Sequence, residues 1–268
     1  MFDTEKIGII GLGFVGGAIK QAYDESFIDL VLLDPQKGFN ATYDELKICS
    51  GIFISVPSPQ GEDGSCDTSI LEQVLSQLKS VNYTGVIISK CTAPPDVYGR
   101  LQKEFPNLIH APEFLVAARA VSDYINGEFA FIGGSVAAYR NEAERIIRLG
   151  QKLLKNVIHS TIEEAALAKY TINSFMSTKV VFMNEIYSLA NKLGCDYDKI
   201  TKMVTLDKRI GSSHMQVPGP DGSFGFGGAC FPKDTSALLK IAETYNVDMQ
   251  VLDAAVKKNL LLRLTESK

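Results

Sequence analysis

The chain has 268 residues, 46% of them apolar and 22% charged, with a formal net charge of −4. That length holds two domains with a substantial core, and the charge balance gives no electrostatic footprint for nucleic acid or an anionic membrane surface. No apolar run approaches the length of a membrane span, and Met1-Phe2-Asp3-Thr4-Glu5-Lys6 lacks the positive-then-apolar order of a signal peptide. Five scattered cysteines form neither a CxxC pair nor a metal-ligand spacing, and the three histidines are equally dispersed. Free thiols in a reducing cytoplasm, and no metal site, are the expectation.

Ile7-Gly8-Ile9-Ile10 is a short apolar strand running directly into Gly11-Leu12-Gly13-Phe14-Val15-Gly16, with helix-compatible residues 18–23 behind it. A GxGxxG set between strand and helix is what dinucleotide binding requires. Gly11 makes the turn, Gly13 admits the pyrophosphate, and Gly16 lets helix pack on strand. The helix N-terminus then carries the phosphate charge. A second strand, residues 30–33, ends in Asp34, where a carboxylate meets the adenosine ribose hydroxyls. An anion there repels a 2′-phosphate and favours NAD over NADP, with Lys37 as the one opposing charge.

Residues 51–56 read as a buried strand stopping at Pro57-Ser58-Pro59, residues 69–78 as a helix, and residues 86–89 as a strand before Lys90-Cys91-Thr92-Ala93-Pro94-Pro95. Strands at 129–132 and 156–158 flank a helix over 137–154. Short apolar strands alternating with helices predict a parallel sheet covered on both faces. Ser58, Thr92 and Glu113 each follow a strand or strand-like run, and so ring one crevice at the strand ends. For Ser58 and Thr92, ordinary turn chemistry is an equal reading.

Residues 162–193 contain neither proline nor glycine and read as one long helix. Met176, Val180, Met183, Tyr187 and Ala190 form a buried seam, with Phe175, Phe182, Ile186, Leu189 and Leu193 as a second row beside it. So wide a stripe predicts burial on two sides and a subunit interface. The first seam, continued toward the N-terminus, reaches Lys169 and Asn173, four apart on one face. They are either a solvated helix end or a cation and an amide aimed into the cofactor crevice, where they would stabilise an oxyanion. Helices over 196–203, 232–245 and 248–264 complete the chain. The expectation is an α/β protein: an N-terminal Rossmann-type doubly wound parallel sheet over residues 1–160, then an all-helical domain over 161–268.

Before the penultimate helix stands Phe224-Gly225-Phe226-Gly227-Gly228-Ala229-Cys230-Phe231-Pro232-Lys233-Asp234. Its glycines permit close backbone approach, and Pro232 suits a first helical turn. Cys230 is thereby expected at a helix N-terminus, where the dipole favours a thiolate. Lys233 supports that charge and Asp234 opposes it.

These blocks together resemble the UDP-glucose/GDP-mannose 6-dehydrogenase family across essentially the whole chain. The matching segments are the glycine fingerprint, Val56-Pro57-Ser58-Pro59, Lys90-Cys91-Thr92-Ala93-Pro94, Pro112-Glu113-Phe114-Leu115, Lys169 with Asn173, Arg209-Ile210-Gly211, and the Cys230 segment. The resemblance implies oxidation of a sugar C6 alcohol to a carboxylate with two NAD, UDP-glucose being the favoured nucleotide-sugar substrate. Cys230 would form a thiohemiacetal and then a thioester, since a thiolate is both nucleophile and leaving group. Lys169 and Asn173 would stabilise oxyanions, while Asp234 and Thr92 would position water or move protons. Glu113, with Phe114 and Leu115 of its block, Gly219, Ser223 and Gly227 would contact the sugar nucleotide. Val15, Asp34, Lys37, Ser58, Thr92 and Lys233 would contact NAD. Arg209 resembles an arginine that reaches a neighbouring subunit's substrate, and the helix over 162–193 resembles the family's dimer core, implying a homodimer.

Two departures stand out. Where the family commonly carries a second glutamate that helps activate water or shuttle protons, this chain has Ala117, which implies slowed thioester hydrolysis unless Asp234 or Glu113, the latter then catalytic as well as substrate-binding, takes its place. The sequence also stops where family members begin a third, nucleotide-holding domain. That implies weak substrate binding, a third domain on a separate chain, or a smaller substrate. Two other readings of the same residues stay open: a two-domain hydroxyacid dehydrogenase that does not use the cysteine, and a non-catalytic NAD-binding interaction module.

Overall fold

The computed structural model describes residues 4–23 and 28–264; residues 1–3 of the N-terminal stretch read above lie outside them. The chain divides into two compact units, one of residues 1–59 with 66–169 and one of residues 60–65 with 170–268.

The first unit runs β1 (Glu5–Ile10), α1 (Phe14–Tyr23), β2 (Ile28–Asp34), β3 (Phe39–Asn40), α2 (Tyr43–Leu46), β4 (Gly51–Ile54), α3 (Ser69–Ser80), β5 (Val86–Ser89), α4 (Pro95–Glu104), β6 (Leu108–His110), α5 (Ala120–Ile125), β7 (Phe129–Gly133), α6 (Ala137–Gly150) and β8 (Asn156–Ser160). Among the described residues the strands make one sheet of order β3-β2-β1-β4-β5-β6-β7-β8. Its central pairs are parallel, while β3 on β2 and β7 on β6 are antiparallel. The direction of connection reverses between β1 and β4, the switch point beside which ligands of such sheets bind.

Side-chain alternation sorts the sheet's two faces. Ile7, Ile9, Phe53 and Ile88 pack with Tyr23, Tyr124 and Ile146 from α1, α5 and α6. Ile10, Ile52, Ile54 and Ile87 pack with Leu71, Leu75 and Leu101 from α3 and α4. Both faces being covered explains why the strands read as apolar runs and not as alternating patterns. Several elements escape the sequence pattern, among them α2 and α5, which span only four and six residues. β3 spans only two residues and β6 three. α4 begins on Pro95 inside what reads as a proline loop, and carries Gly99 mid-helix, where a Cβ would collide with Glu163.

The second unit is helical. It takes most of α7 (Ile162–Lys192), then α8 (Tyr197–Val204), α9 (Phe231–Thr244) and α10 (Gln250–Leu264). Met183 and Ala190 of the expected seam pack with Tyr197 and Met215. Val181 packs with Phe226 and Ala255. Of the expected second row, Phe175, Phe182 and Leu189 on α7 and Leu193 just past its end are exposed on this chain, whereas Ile186 packs against the Met183 cluster.

His110, at the end of β6, is buried and stacked on Tyr98 at 4.3 Å. Burial pushes its imidazole down to about 3, aided by the Lys90 and Lys169 charges and opposed by the Ser89 carbonyl beside Nδ1. The folded state therefore refuses a proton that the unfolded chain accepts below its ordinary pKa of about 6.5. Stability is lost as pH falls from about 6.5 toward 3, at up to about 1.4 kcal/mol per pH unit. His110→Phe keeps the stack and removes the titration. Urea unfolding at pH 7 and pH 4.5 is expected to show a stability loss smaller by about 2 kcal/mol in the variant; an equal loss in both proteins would exclude His110 as the source.

Candidate functional site

In the first unit, β1 delivers its glycine turn to the head of α1. Gly11 has φ +83°, a left-handed conformation that disfavours a side chain, and a Cβ at Gly16 would run into the Gly11 carbonyl. At Gly13, by contrast, a Cβ would meet nothing within 4 Å. Two glycines are therefore fixed by the fold itself, whereas Gly13 opens onto space at a helix N-terminus, the shape and polarity that suit a pyrophosphate. Val15 is buried under the turn. Asp34 Oδ2 accepts the Leu12 N–H at 2.7 Å, and Lys37 Nζ donates to the Leu12 carbonyl. The carboxylate predicted for the ribose and its neighbouring cation are thus both anchored on the glycine turn.

Ser58, Thr92 and Glu113 follow the neighbouring strands β4, β5 and β6. Ser58 and Thr92 are half-buried. Glu113 is fully committed: Oε1 lies 2.9 Å from Lys169 Nζ, and Oε2 accepts the Leu115 N–H at 2.7 Å. Lys169 also donates to the Glu113 carbonyl and sits 5.0 Å from the Phe114 ring centroid. At 4% exposure Lys169 is no solvated helix end. Ala117 lies exposed in a short turn beyond this segment.

Lys90, in the block after β5, is 7% exposed, with Nζ 6.0 and 5.8 Å from the Phe53 and Tyr124 ring centroids. Contacts at that range contribute on the order of 1 kcal/mol each, against a burial cost of several kcal/mol per ion. Burial pushes its ammonium down to about 8; the Glu113 charge resists and the Lys169 charge adds to the push.

In the second unit, Asn173 is buried and donates Nδ2–H to Asp234 Oδ2 at 2.6 Å. The other oxygen of Asp234 is 2.5 Å from Lys233 Nζ, and Asp234 itself is wholly buried. Lys233 and Asp234 therefore balance each other, and neither acts on Cys230 as a lone charge. Cys230 is half-buried at the N-cap of α9, its carbonyl accepting the Asp234 N–H at 2.8 Å, with Pro232 in the first turn as the sequence predicts.

The glycine loop before Cys230 is held by residues to which the sequence alone gave no role. Asn259 of α10 accepts the Phe226 N–H at 2.6 Å and donates to its carbonyl at 3.0 Å. Asn184 of α7 accepts the Gly225 N–H at 3.0 Å. Gly225 has φ +72°, and a Cβ there would strike Asn259 Oδ1. Arg263 donates to the Phe226 carbonyl and to Asp221, and a Cβ on Gly227 would meet its guanidinium. Gly219 and Ser223 close a turn on each other, with the Gly219 N–H donating to the Ser223 carbonyl at 2.8 Å. A lone amide on a helix carries no sequence signal of its own; burial of Asn184 and Asn259 is what marks them. Arg209 is brought to none of these groups: it is exposed and pairs with Asp207 two residues away.

Among the described residues no cluster of three or more His, Cys, Asp or Glu could hold a metal ion, and no helix is long and apolar enough to cross a membrane.

Fold and residues define a Rossmann-type dinucleotide-binding unit joined to an all-helical unit that presents a cysteine at a helix start. Residues 29–150 match the NAD binding domain, and residues 163–260 the central domain, of the UDP-glucose/GDP-mannose dehydrogenase family. The chain belongs to that family, and NAD is the cofactor its glycine turn and Asp34 fit. A UDP-glucose 6-dehydrogenase of Rickettsia bellii is 33% identical over 227 residues, covering 81% of this chain and 50% of that protein. The chain spans about half the length of the curated relatives it matches. A UDP-glucose dehydrogenase structure from Pyrobaculum islandicum superposes with a TM-score of 0.79 at 24% identity, covering 97% of this chain and 69% of that one. A 3-hydroxyisobutyrate dehydrogenase from Mycobacterium tuberculosis shares the fold at a TM-score of 0.74 and 14% identity, over 95% of this chain and 92% of that one.

The unequal surroundings of the glycines make a direct test. Gly13→Ala is expected to leave the unfolding midpoint unchanged while weakening NAD binding about tenfold or more. Gly16→Ala should instead destabilise the protein by about 1–3 kcal/mol through overpacking. Fluorescence titration with NAD beside thermal unfolding separates the two; a Gly13→Ala variant binding NAD at wild-type strength would count against the pyrophosphate assignment.

Proposed function

We propose that the protein is an NAD-dependent oxidoreductase that takes the C6 alcohol of a nucleotide sugar, UDP-glucose first among them, to the carboxylate. The observation that carries this reading is the arrangement at the start of α9. A half-exposed Cys230 lies one turn from a buried Asp234 held by Asn173 at 2.6 Å. That is a nucleophile beside a fixed carboxylate, which an aldehyde-to-acid oxidation needs.

NAD would be held by the glycine turn and Asp34, and two molecules bound in succession would each supply one hydride acceptor for the overall four-electron oxidation. The chain's own residues handle everything else. After the first oxidation, Cys230 gives up its S–H proton, Sγ bonds to the C6 carbonyl carbon as the C=O π bond breaks, and the resulting alkoxide takes a proton to give the thiohemiacetal. Loss of the second hydride and of that hydroxyl proton leaves a thioester. Water then adds to the thioester carbon, the C–S bond breaks, and the thiol is regenerated with the carboxylate. Asn173, by its amide, and Lys169, by its charge, stabilise the oxyanions of these additions. Asp234 and Thr92 orient water and move protons, and Ala117 predicts a slow last step. In this reading Glu113, Phe114, Leu115, Gly219, Ser223 and Gly227 contact the sugar nucleotide. Ser58, Thr92 and Lys233 contact NAD, and Arg209 serves a neighbouring subunit. The functional division falls between residues 160 and 161. Five free cysteines suit a reducing compartment, here the cytoplasm.

The fold shared with the 3-hydroxyisobutyrate dehydrogenase keeps a second reading in play, a hydroxyacid dehydrogenase in which Cys230 is idle. Cys230→Ser is expected to lower NADH formation from UDP-glucose by roughly 10³-fold or more, and intact-mass analysis of wild type during turnover should show an acyl adduct on Cys230. Unchanged activity of the variant on a small hydroxyacid, with none on any nucleotide hexose, would replace the first reading by the second.

The same proposal includes a homodimer through α7. Phe175, Phe182 and Leu189 along one side of the helix, with Leu193 just past its end, are 63, 57, 56 and 68% exposed, a row that a second copy would cover. Phe182→Glu is expected to convert a dimer to a monomer in sedimentation equilibrium; a wild type that sediments as a monomer at all concentrations removes this part.

A further inference from the structure

We propose that Lys90 is the cationic anchor of an anion subsite in the first unit, one that binds a carboxylate, or the oxyanion preceding it, in preference to a neutral hydroxyl. Lys90 is more than nine-tenths buried, and its ammonium has no hydrogen-bonding or ion-pair partner among the described residues beyond the two ring faces. Glu113, the carboxylate whose charge reaches it, is already spent, with one oxygen on Lys169 and the other on the Leu115 N–H. Two buried cations therefore share one carboxylate whose side chain is 9% exposed, and His110 beside them is held neutral by burial. A buried charge without a counter-charge is costly, so a fold that keeps one is poised for a ligand that brings the missing anion. The cluster stands where ligands of such sheets sit, since Lys90 follows β5 and Glu113 follows β6 at their carboxyl ends.

The charge count selects the ligand. A neutral alcohol leaves the surplus positive charge as it is, whereas a carboxylate completes two cations with two anions. On the function proposed above, that carboxylate is the oxidised C6 of the sugar; the subsite itself does not depend on that identity. Lys90 then acts on the bound ligand's charge alone, tightening the hold on the oxidised form relative to the alcohol.

Isothermal titration of wild type, Lys90→Met and Lys90→Gln with UDP-glucuronate, UDP-glucose and NAD tests the sugar arm. Thermal shifts in sodium formate, against formamide and sodium chloride, test the anion arm without a nucleotide. Wild type is expected to bind UDP-glucuronate more tightly than UDP-glucose. The variants should lose at least tenfold in UDP-glucuronate affinity and keep UDP-glucose and NAD within twofold. Formate, and not formamide or chloride, should stabilise wild type and lose that effect in both variants. Equal weakening of both sugars, or formate stabilisation independent of Lys90, overturns the subsite, as does a wild type that responds to none of these anions. If formate acts through Lys90 while wild type binds neither nucleotide sugar, the subsite stands and the nucleotide-sugar reading falls. Should both variants fail to fold, acetylation of wild type read by peptide mass spectrometry decides: protection of Lys90 by formate and not by formamide or chloride supports the subsite, and equal labelling in all three overturns it.

Discussion

A lysine taken out of water is costly unless it meets an anion at bonding distance, and the first turns of α7 are built on that constraint. Lys169 is enclosed with its ammonium 2.9 Å from Glu113, and the same ammonium also takes the Glu113 carbonyl. Removing either partner would strand a buried charge, at roughly 3–5 kcal/mol for pairs of this kind. The pair thereby fixes both a side chain and the backbone that carries it. Phe114 and Leu115 are set by the same contacts, one against the lysine and one through its N–H to Glu113. One turn further along α7 the logic repeats with an amide, as Asn173 meets the buried Asp234.

These two anchorages differ in charge, and the difference carries chemical meaning. In the helical unit Asp234 is matched by Lys233, so the start of α9 is locally neutral and Cys230 sits in the field of the helix terminus. In the sheet unit the matching stops short, because Lys169 consumes Glu113 and Lys90 is left between two rings. In the reaction proposed above, a neutral environment suits a thiol that alternates between free and acylated states. A surplus cation suits a ligand that becomes an anion.

The glycines divide along the same line between scaffold and function. Gly16 and Gly225 are glycine because another part of the chain occupies the space a Cβ would take, the Gly11 carbonyl in one case and Asn259 in the other. Gly13 has no such neighbour, so its lack of a side chain serves something other than the fold. Around Gly225 and Phe226, amides from α7 and α10 satisfy backbone groups that a loop would otherwise leave to water, and so give the segment before Cys230 one conformation.

Local chemistry was enough to read much of this from residue order alone. The apolar runs of β1, β4 and β5, the GxGxxG turn, Asp34 closing β2, the uninterrupted α7 and Pro232 opening α9 each follow from periodicity, steric rules or capping within a few residues. What lies apart in the chain was settled only by folding. The two-residue β3 and three-residue β6 exist because neighbouring strands supply their hydrogen bonds. Whether Lys169 and Asn173 faced water or the interior depended on Glu113 and Asp234, 56 and 61 residues away. Asn184, Asn259 and Lys90 look in sequence like ordinary polar residues. Sequence determines which groups are present and how each stretch prefers to bend, but burial and the partners that balance a buried charge arise from distant segments meeting, and only the tertiary structure fixes those.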